Sequence, residues 1–189
     1  MSDVSFTNKI FSRDIFMRTL LVFFLTIQLS GWANAGILNP QPDLQLWDQG
    51  LVYSIIEDSE GGLLIGGSFD LFMGEPRQNI ARIEPNGNLD PDFRPDVNGI
   101  VYEILVLADN NLVIAGAFTS IDDKPRLRLA RLLPNGLVDS TWNPTANDFV
   151  FVTVNYGEND ILLGGNFTSI NGIGRDRIAK ISLVDGSID

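Results

Sequence analysis

The stretch ILLGGNFTSINGIGRDRIAKI, residues 161–181, decides how the chain folds. Taken alone it offers two readings. Gly164, Gly165, Gly172 and Gly174 could cradle a phosphate, or the segment could be one part of something repetitive. A phosphate cradle needs a strand, a glycine-rich turn and a helix in succession. Here apolar, strand-like runs flank the glycines on both sides, and no Gly-Lys-Ser/Thr follows them. Two counterparts upstream favour the second reading. LVIAGAFTSIDDKPRLRLARL begins at Leu112 and LLIGGSFDLFMGEPRQNIARI at Leu63, so the step is 49 residues both times. The glycines recur with the repeat, and packing and turning explain them better than a ligand does.

The repeat extends well beyond this stretch. Units start at Val52, Val101 and Val150 and align with almost no gaps. Gly67, Gly116 and Gly165 fall in register, as do Phe69, Phe118 and Phe167. So do Arg77, Arg126 and Arg175, then Arg82, Arg131 and Lys180, and Asp90 with Asp139. Each unit reads as short strands. VYEILVLA is rich in β-branched and aromatic residues and is the first strand. DNN turns the chain, because Asn and Asp tolerate left-handed backbone. LVIAGAF is the second strand, and TSIDDKP a longer polar connection. RLRLARLL is the third, its alternation placing Leu on one face and charge on the other. PNG turns again, and LVDSTW is expected to form a fourth strand. Forty-nine residues with this many strands leave no room for a packed helix, and a period near 50 fits a four-stranded propeller blade. The expectation is an all-β chain of tandem antiparallel β-sheet repeats, a partial β-propeller of about three blades.

The unit boundaries are 52–100, 101–149 and 150–189, with a partial unit over 42–51. The partial unit is marked by PDL at residues 42–44, which stands 49 residues before PDF at 91–93. Closed propellers have typically four to eight blades. Three readings stay open. The chain is a piece of a longer propeller, or copies of it close a ring together, or it stays an open stack with exposed edge strands.

Residues 1–35 have a different character. Lys9, Arg13 and Arg18 precede TLLVFFLTIQL, an uncharged run of 11 residues that is short for a bilayer span. Ala33 and Ala35 then stand at the −3 and −1 positions of a cleavage site. Basic flank, apolar core and A-x-A exit read as a secretory signal peptide, which starts at Met1 or at Met17. The mature chain, 36–189, would be secreted, periplasmic or held at the cell surface, with no stable transmembrane span after cleavage. The whole chain carries a formal charge of −11. The leader holds three basic and two acidic residues, so its removal makes the remainder one charge more acidic. A field of this sign repels nucleic acid and anionic membranes. With no Cys and no His, thiol chemistry is excluded and the commonest acid–base and metal ligand is missing.

These motifs resemble delta-60 repeats, a bacterial family of β-propeller-like units of the form ILVGGxFTxxxGxxRxxIARLxxDGxxDxxF. The glycine pair, Phe-Thr, Arg, Ala-Arg-Leu, turn glycine and Asp occur in that order, and the resemblance covers essentially all of the mature chain. It departs in the first unit, where Asp70, Leu71 and Phe72 replace Thr-Ser-Ile and the connecting loop is expected to differ. The resemblance implies an exported or cell-surface setting and a propeller-like fold. It implies no catalytic residue, no cofactor and no ligand.

Candidate sites follow from the register. Arg82, Arg131 and Lys180 are expected to lay their stems on apolar surface with the charges in water. Arg77, Arg126 and Arg175 are expected to find a carboxylate, with Asp90 and Asp139 as candidates. The alternative for those Asp residues is turn capping. DPDFRPD gathers Asp90, Asp92 and Asp96, weak candidates for structural calcium, which favours oxygen ligands. Phe93 and Trp142 share a register; they read as core, or, if exposed, as a sugar platform. A glycosidase needs two carboxylates facing each other at a set distance. Among 24 Asp and Glu residues no pair stands out. The leading function is therefore an exported non-catalytic module with a structural or protein-interaction role, able to self-associate. The alternative is an extracellular carbohydrate-binding or glycoside-hydrolysing propeller.

Overall fold

A computed structural model describes residues 50–188. The leader and the PDL segment lie outside the described residues. The middle repeat shows the plan most fully. β6 (Val101–Val106), β7 (Leu112–Gly116) and β10 (Leu129–Leu132) form an antiparallel sheet with β7 in the centre. Between β7 and β10 the chain makes a small hairpin of β8 (Ser120–Ile121) and β9 (Lys124–Pro125). The first repeat copies this with β1 (Leu51–Glu57), β2 (Leu63–Ser68) and β5 (Ile80–Ile83), and a hairpin of β3 (Leu71–Phe72) and β4 (Glu75–Pro76). The third uses β11 (Val150–Asn155), β12 (Asp160–Gly165) and β15 (Ile178–Ser182), with β13 (Ser169–Ile170) and β14 (Ile173–Gly174). The chain is all-β, built of repeated antiparallel units of three long and two short strands.

Two strand expectations need correction. The fourth strand over 137–142 shrinks to one bridge, Leu132↔Val138, matched by Ile83↔Leu89 and Ile181↔Ile188. Asp139 donates its N–H to the Arg131 carbonyl, and the chain then turns away around the Asp139 side chain. The third strand is also shorter than RLRLARLL. Arg128 has φ +70°, so Arg126 and Arg128 precede the strand instead of alternating within it. Asn79 and Arg177 take the same left-handed conformation in the other units. The strand's buried positions are Leu129, Ala130 and Leu132.

The polar connections are tight. Asp122 and Asp123 (φ +49° and +60°) form a two-residue loop with both centres left-handed, the turn that matches strand twist in hairpins. Asn171–Gly172 and Met73–Gly74 do the same. The first unit's loop therefore does not differ in backbone, despite its altered sequence.

The sheets pack face to face and come closest at their first strands. Leu64 and Ile80 of the first unit meet Leu112, Ile114, Ala130 and Leu132 of the second. Val113, Ala115 and Leu129, on the second unit's other face, meet Ile161, Leu163, Ala179 and Ile181 of the third. A sheet covered on both faces needs continuous apolar runs rather than alternation, and LVIAG in β7 is such a run. Phe118 and Phe167 are buried in these two inter-unit cores, and Phe69 in a third cluster.

The register glycines serve a contact within the sheet, not between sheets. Each first strand carries a bulge, after Val52, Val101 and Val150. There the carbonyls of Leu51, Ile100 and Phe149 press on Gly67, Gly116 and Gly165, where a Cβ would collide with them.

Candidate functional site

The repeated cations and carboxylates form a frame, paired differently from the sequence expectation. Arg82 Nε donates to Asp90 Oδ2 at 2.7 Å, and Arg131 Nε to Asp139 Oδ2 at 2.7 Å. Both pairs are largely shielded from water, so these guanidiniums do not sit in solvent as expected. Each also lies over an aromatic ring, Arg82 over Phe93 and Arg131 over Trp142. Lys180 pairs more loosely with Asp160, at 3.5 Å.

Arg77 and Arg126 reach the same two Asp residues by the main chain. Arg77 Nη2 donates to the Asp90 carbonyl at 2.7 Å and Arg126 Nη2 to the Asp139 carbonyl at 3.3 Å. Their Nη1 atoms bond the preceding residue's carbonyl, as Arg175 does with Gly174. Burial pulls the Arg77 guanidinium below its ordinary value, Arg94's charge adding to the effect while Glu75 and Asp90 oppose it. Burial lowers Arg126 too, against the pull of Asp139.

The Asp residues both pair and cap. Asp90 Oδ1 accepts the N–H groups of Asp92 and Phe93, and Asp139 Oδ1 accepts the N–H and the hydroxyl of Thr141. Burial alone would raise the Asp139 carboxyl. Hydrogen bonds from Thr141 and Arg131, together with Arg131's charge, outweigh it and hold the group below its ordinary value. In Asp90 burial is likewise outweighed by the N–H of Asp92, by Arg82 and by the N–H of Phe93.

The weak calcium proposal for Asp90, Asp92 and Asp96 does not survive this geometry. Both Asp90 oxygens are engaged by Arg82 and by backbone N–H groups, while Asp92 and Asp96 are exposed. No group of three or more His, Cys, Asp or Glu placed to hold a metal ion occurs among the described residues. The sugar platform fails too. Phe93 and Trp142 are fully buried, and Trp142 Nε1 donates to the Ser182 carbonyl of the next unit at 2.9 Å.

Sequence reasoning missed what holds the small hairpins, each of which buries one apolar residue, Phe72, Ile121 or Ile170. Asn98 Oδ1 accepts the N–H groups of Thr119 and Ser120, while its Nδ2 donates to Thr119 Oγ1. Asn147 does the same for Thr168 and Ser169. The two Asn residues are 49 apart, so the register could have found them. Asp122 Oδ1 and Asn171 Oδ1 accept from the N–H groups of Asp96 and Thr145. The hairpins leave Asp123, Lys124 and Pro125 exposed in the second unit, and Asn171, Gly172, Ile173 and Gly174 in the third.

A second feature lies on the first strands. Tyr53, Tyr102 and Phe151 occupy the bulges, one per unit, and pack edge to face at centroid spacings of 5.2 Å. Phe149 joins Tyr102 and Phe151 from the side. The row is incompletely covered, and Phe151 is exposed. An open depression lined by Asp58, Glu60, Arg82, Glu84 and Asn86 completes the surface. Its polar groups serve local turns, Asp58 accepting from the N–H groups of Glu60 and Gly62, and Glu84 from Asn86.

Three segments, residues 61–93, 107–141 and 159–189, match the family model described as domain of unknown function (DUF5122) beta-propeller. The matches cover more than half of the chain, one per unit, and the chain belongs to this family. The resemblance drawn from the repeats agrees with it. No curated protein and no solved structure matches the chain.

Proposed function

We propose that the chain is an exported, non-catalytic interaction module. One observation carries the reading: the recurrent polar side chains are spent on the frame, while an aromatic row is left open along the first strands. Arg82, Arg131, Asp90, Asp139, Asn98 and Asn147 are bonded to one another or to main chain. A propeller-like fold with no metal-holding cluster among the described residues then offers shape and apolar surface. Tyr is among the side chains enriched at the energetic centres of protein interfaces. The segment over residues 1–35 supports export by its basic–apolar–A-x-A order. The carbohydrate reading has lost its platform with the burial of Phe93 and Trp142.

The test is photo-crosslinking in the exporting cell. A photoreactive phenylalanine analogue replaces Tyr102 or Phe151, and in a control Ser59 at an exposed turn. Discrete products with another protein from positions 102 and 151, and none from 59, are expected. N-terminal sequencing of the exported form should begin at Gly36. Turnover of a glycoside, or glycan capture on an array that Phe151→Ala abolishes, would overturn the reading.

A further inference from the structure

We infer that Asn135 is a self-modification site, where the side-chain amide is displaced by the main-chain nitrogen of Gly136 and then replaced by water, leaving aspartate or isoaspartate. An Asn-Gly pair permits this chemistry, because glycine has no side chain to hinder the approach of its nitrogen. The chain holds four such pairs, beginning at Asn86, Asn98, Asn135 and Asn171. The fold separates them by what holds each carboxamide nitrogen. Asn98 Nδ2 donates to Thr119 Oγ1 at 2.8 Å, Asn171 Nδ2 to the Gly186 carbonyl at 2.9 Å, and Asn86 Nδ2 to Glu84 Oε2 at 2.9 Å. Asn135 is exposed, and its Nδ2 bonds to no group among the described residues. Its unit has a described neighbour packed on each face, so this exposure belongs to the middle of the array.

The Gly136 N–H donates to the Leu133 carbonyl at 2.9 Å, so the turn has to open before that nitrogen can face the side chain. Hydroxide then takes the N–H proton, and the nitrogen adds to Asn135 Cγ, an attack favoured because both groups are held on adjacent residues. The Leu137 N–H, which donates to Asn135 Oδ1 at 3.1 Å, is a donor for the oxygen that becomes negative in this step. The bond from Cγ to Nδ2 breaks, ammonia leaves, and a succinimide ring remains. Water opens the ring. Opening at Cγ gives aspartate, and opening at the main-chain carbonyl gives isoaspartate, with the chain now routed through Cβ. One water is consumed, one ammonia is released, nothing is oxidised or reduced, and the site gains a negative charge.

The two products differ in fit. Asp185 precedes Gly186 in the corresponding turn of the third unit, and its Oδ1 accepts the Ser187 N–H at 2.9 Å, as Asn135 Oδ1 accepts that of Leu137. Aspartate therefore suits this turn. Isoaspartate adds a methylene between two contacts with the first unit. On one side the Pro134 carbonyl accepts from Arg82 Nη1 at 2.7 Å. On the other, Gly136 sits so close to Phe93 and Pro95 that a Cβ there would lie 3.1 and 3.2 Å from them. The isoaspartate form loosens the join between the first two units.

Peptide mapping by mass spectrometry tests this on the full chain, kept folded in warm, mildly alkaline buffer and sampled over time for conversion of amide to acid. One amide hydrogen bond of about 1 kcal/mol corresponds to roughly fivefold in rate. Position 135 should convert first, at least about fivefold ahead of positions 98 and 171. In concentrated urea the four rates should converge, since the sequence pair is the same at each. Asn135→Asp should keep the wild-type urea midpoint, and the isoaspartate form, isolated by chromatography, should unfold at lower urea. Conversion at 86, 98 or 171 ahead of 135, the same ratio of rates in folded chain and in urea, or an isoaspartate form as stable as the Asn135→Asp variant would each overturn the inference.

Discussion

Arg131→Met isolates the energetic role of the buried frame. The substitution keeps a stem of similar length and removes the guanidinium. Lost are the 2.7 Å bond to Asp139, the bond to the Leu183 carbonyl and the stacking on Trp142. Both side chains of the ion pair are only 12% exposed, so the value near zero typical of surface pairs does not apply. Breaking a fully buried pair costs about 3–5 kcal/mol, because the remaining charge is stranded. Here Thr141 still gives Asp139 its N–H and its hydroxyl, which pulls the cost to the low end. Two charge-assisted hydrogen bonds at about 1.5 kcal/mol each give roughly 3 kcal/mol. With a urea m-value of about 2 kcal/mol/M, the midpoint should fall by about 1.5 M at constant m. Thermal unfolding should drop by about 6–12 °C. Lys180→Met is the internal control. Its pair with Asp160 is longer and each partner is about a third exposed, so the loss should stay below about 0.5 kcal/mol. A loss under about 1 kcal/mol for Arg131→Met, or an equal loss for Lys180→Met, would refute the view that the first pair is part of the core.

Gly116→Ala should destabilise by about 3 kcal/mol in urea titrations, since its Cβ meets the rigid Ile100 carbonyl. Gly74→Ala, strained only by its φ of +83° with open space around it, should cost about 1–2 kcal/mol in the same assay. Acid should weaken the fold through Asp90 and Asp139. Their native pKa values are depressed, so their contribution is complete above the ordinary carboxylate range near pH 4 and is lost as pH falls through the native values. Urea midpoints measured from pH 6 down to pH 2 should fall less steeply for Asp139→Asn than for the wild type. Asn98→Ala should speed hydrogen exchange at the Thr119 and Ser120 amides, which lose their acceptor, and leave the β6–β7 ladder unchanged.

The period and the strand order were legible because each is written three times. A repeat turns weak local propensity into registered evidence: Phe118 alone is an aromatic, but with Phe69 and Phe167 it is a core position. The errors came where a residue's role depends on its main chain. Arg131 and Arg126 are the same residue type, yet on either side of the left-handed Arg128 one reaches the Asp139 carboxylate and the other its carbonyl. The LVDSTW segment has strand-like residues, yet the Asp139 cap bends the chain away after one bridge. The aromatic row escaped notice because Tyr53, Tyr102 and Phe151 look like ordinary strand residues; the bulges beside Gly67, Gly116 and Gly165 put them side by side.

The same repetition that makes the fold legible restricts where function can reside. A unit sheet is apolar on both faces, so it is stable only between neighbours, and stability becomes a sum over units and the interfaces between them. The polar residues that recur are those the interface needs: Arg82 and Arg131 each bond an Asp of their own unit and a carbonyl of the next. A residue so engaged is not free to bind or catalyse without loosening two units at once. The proposed recognition therefore has to use positions that this frame leaves open. Those are the hairpin tips at Asp123 and Ile173 and the aromatic row. The tips differ most between units, as Met-Gly, Asp-Asp and Asn-Gly, while keeping one backbone conformation. A constant frame with variable tips allows the surface chemistry to change from unit to unit without refolding, which supports the proposed interaction role.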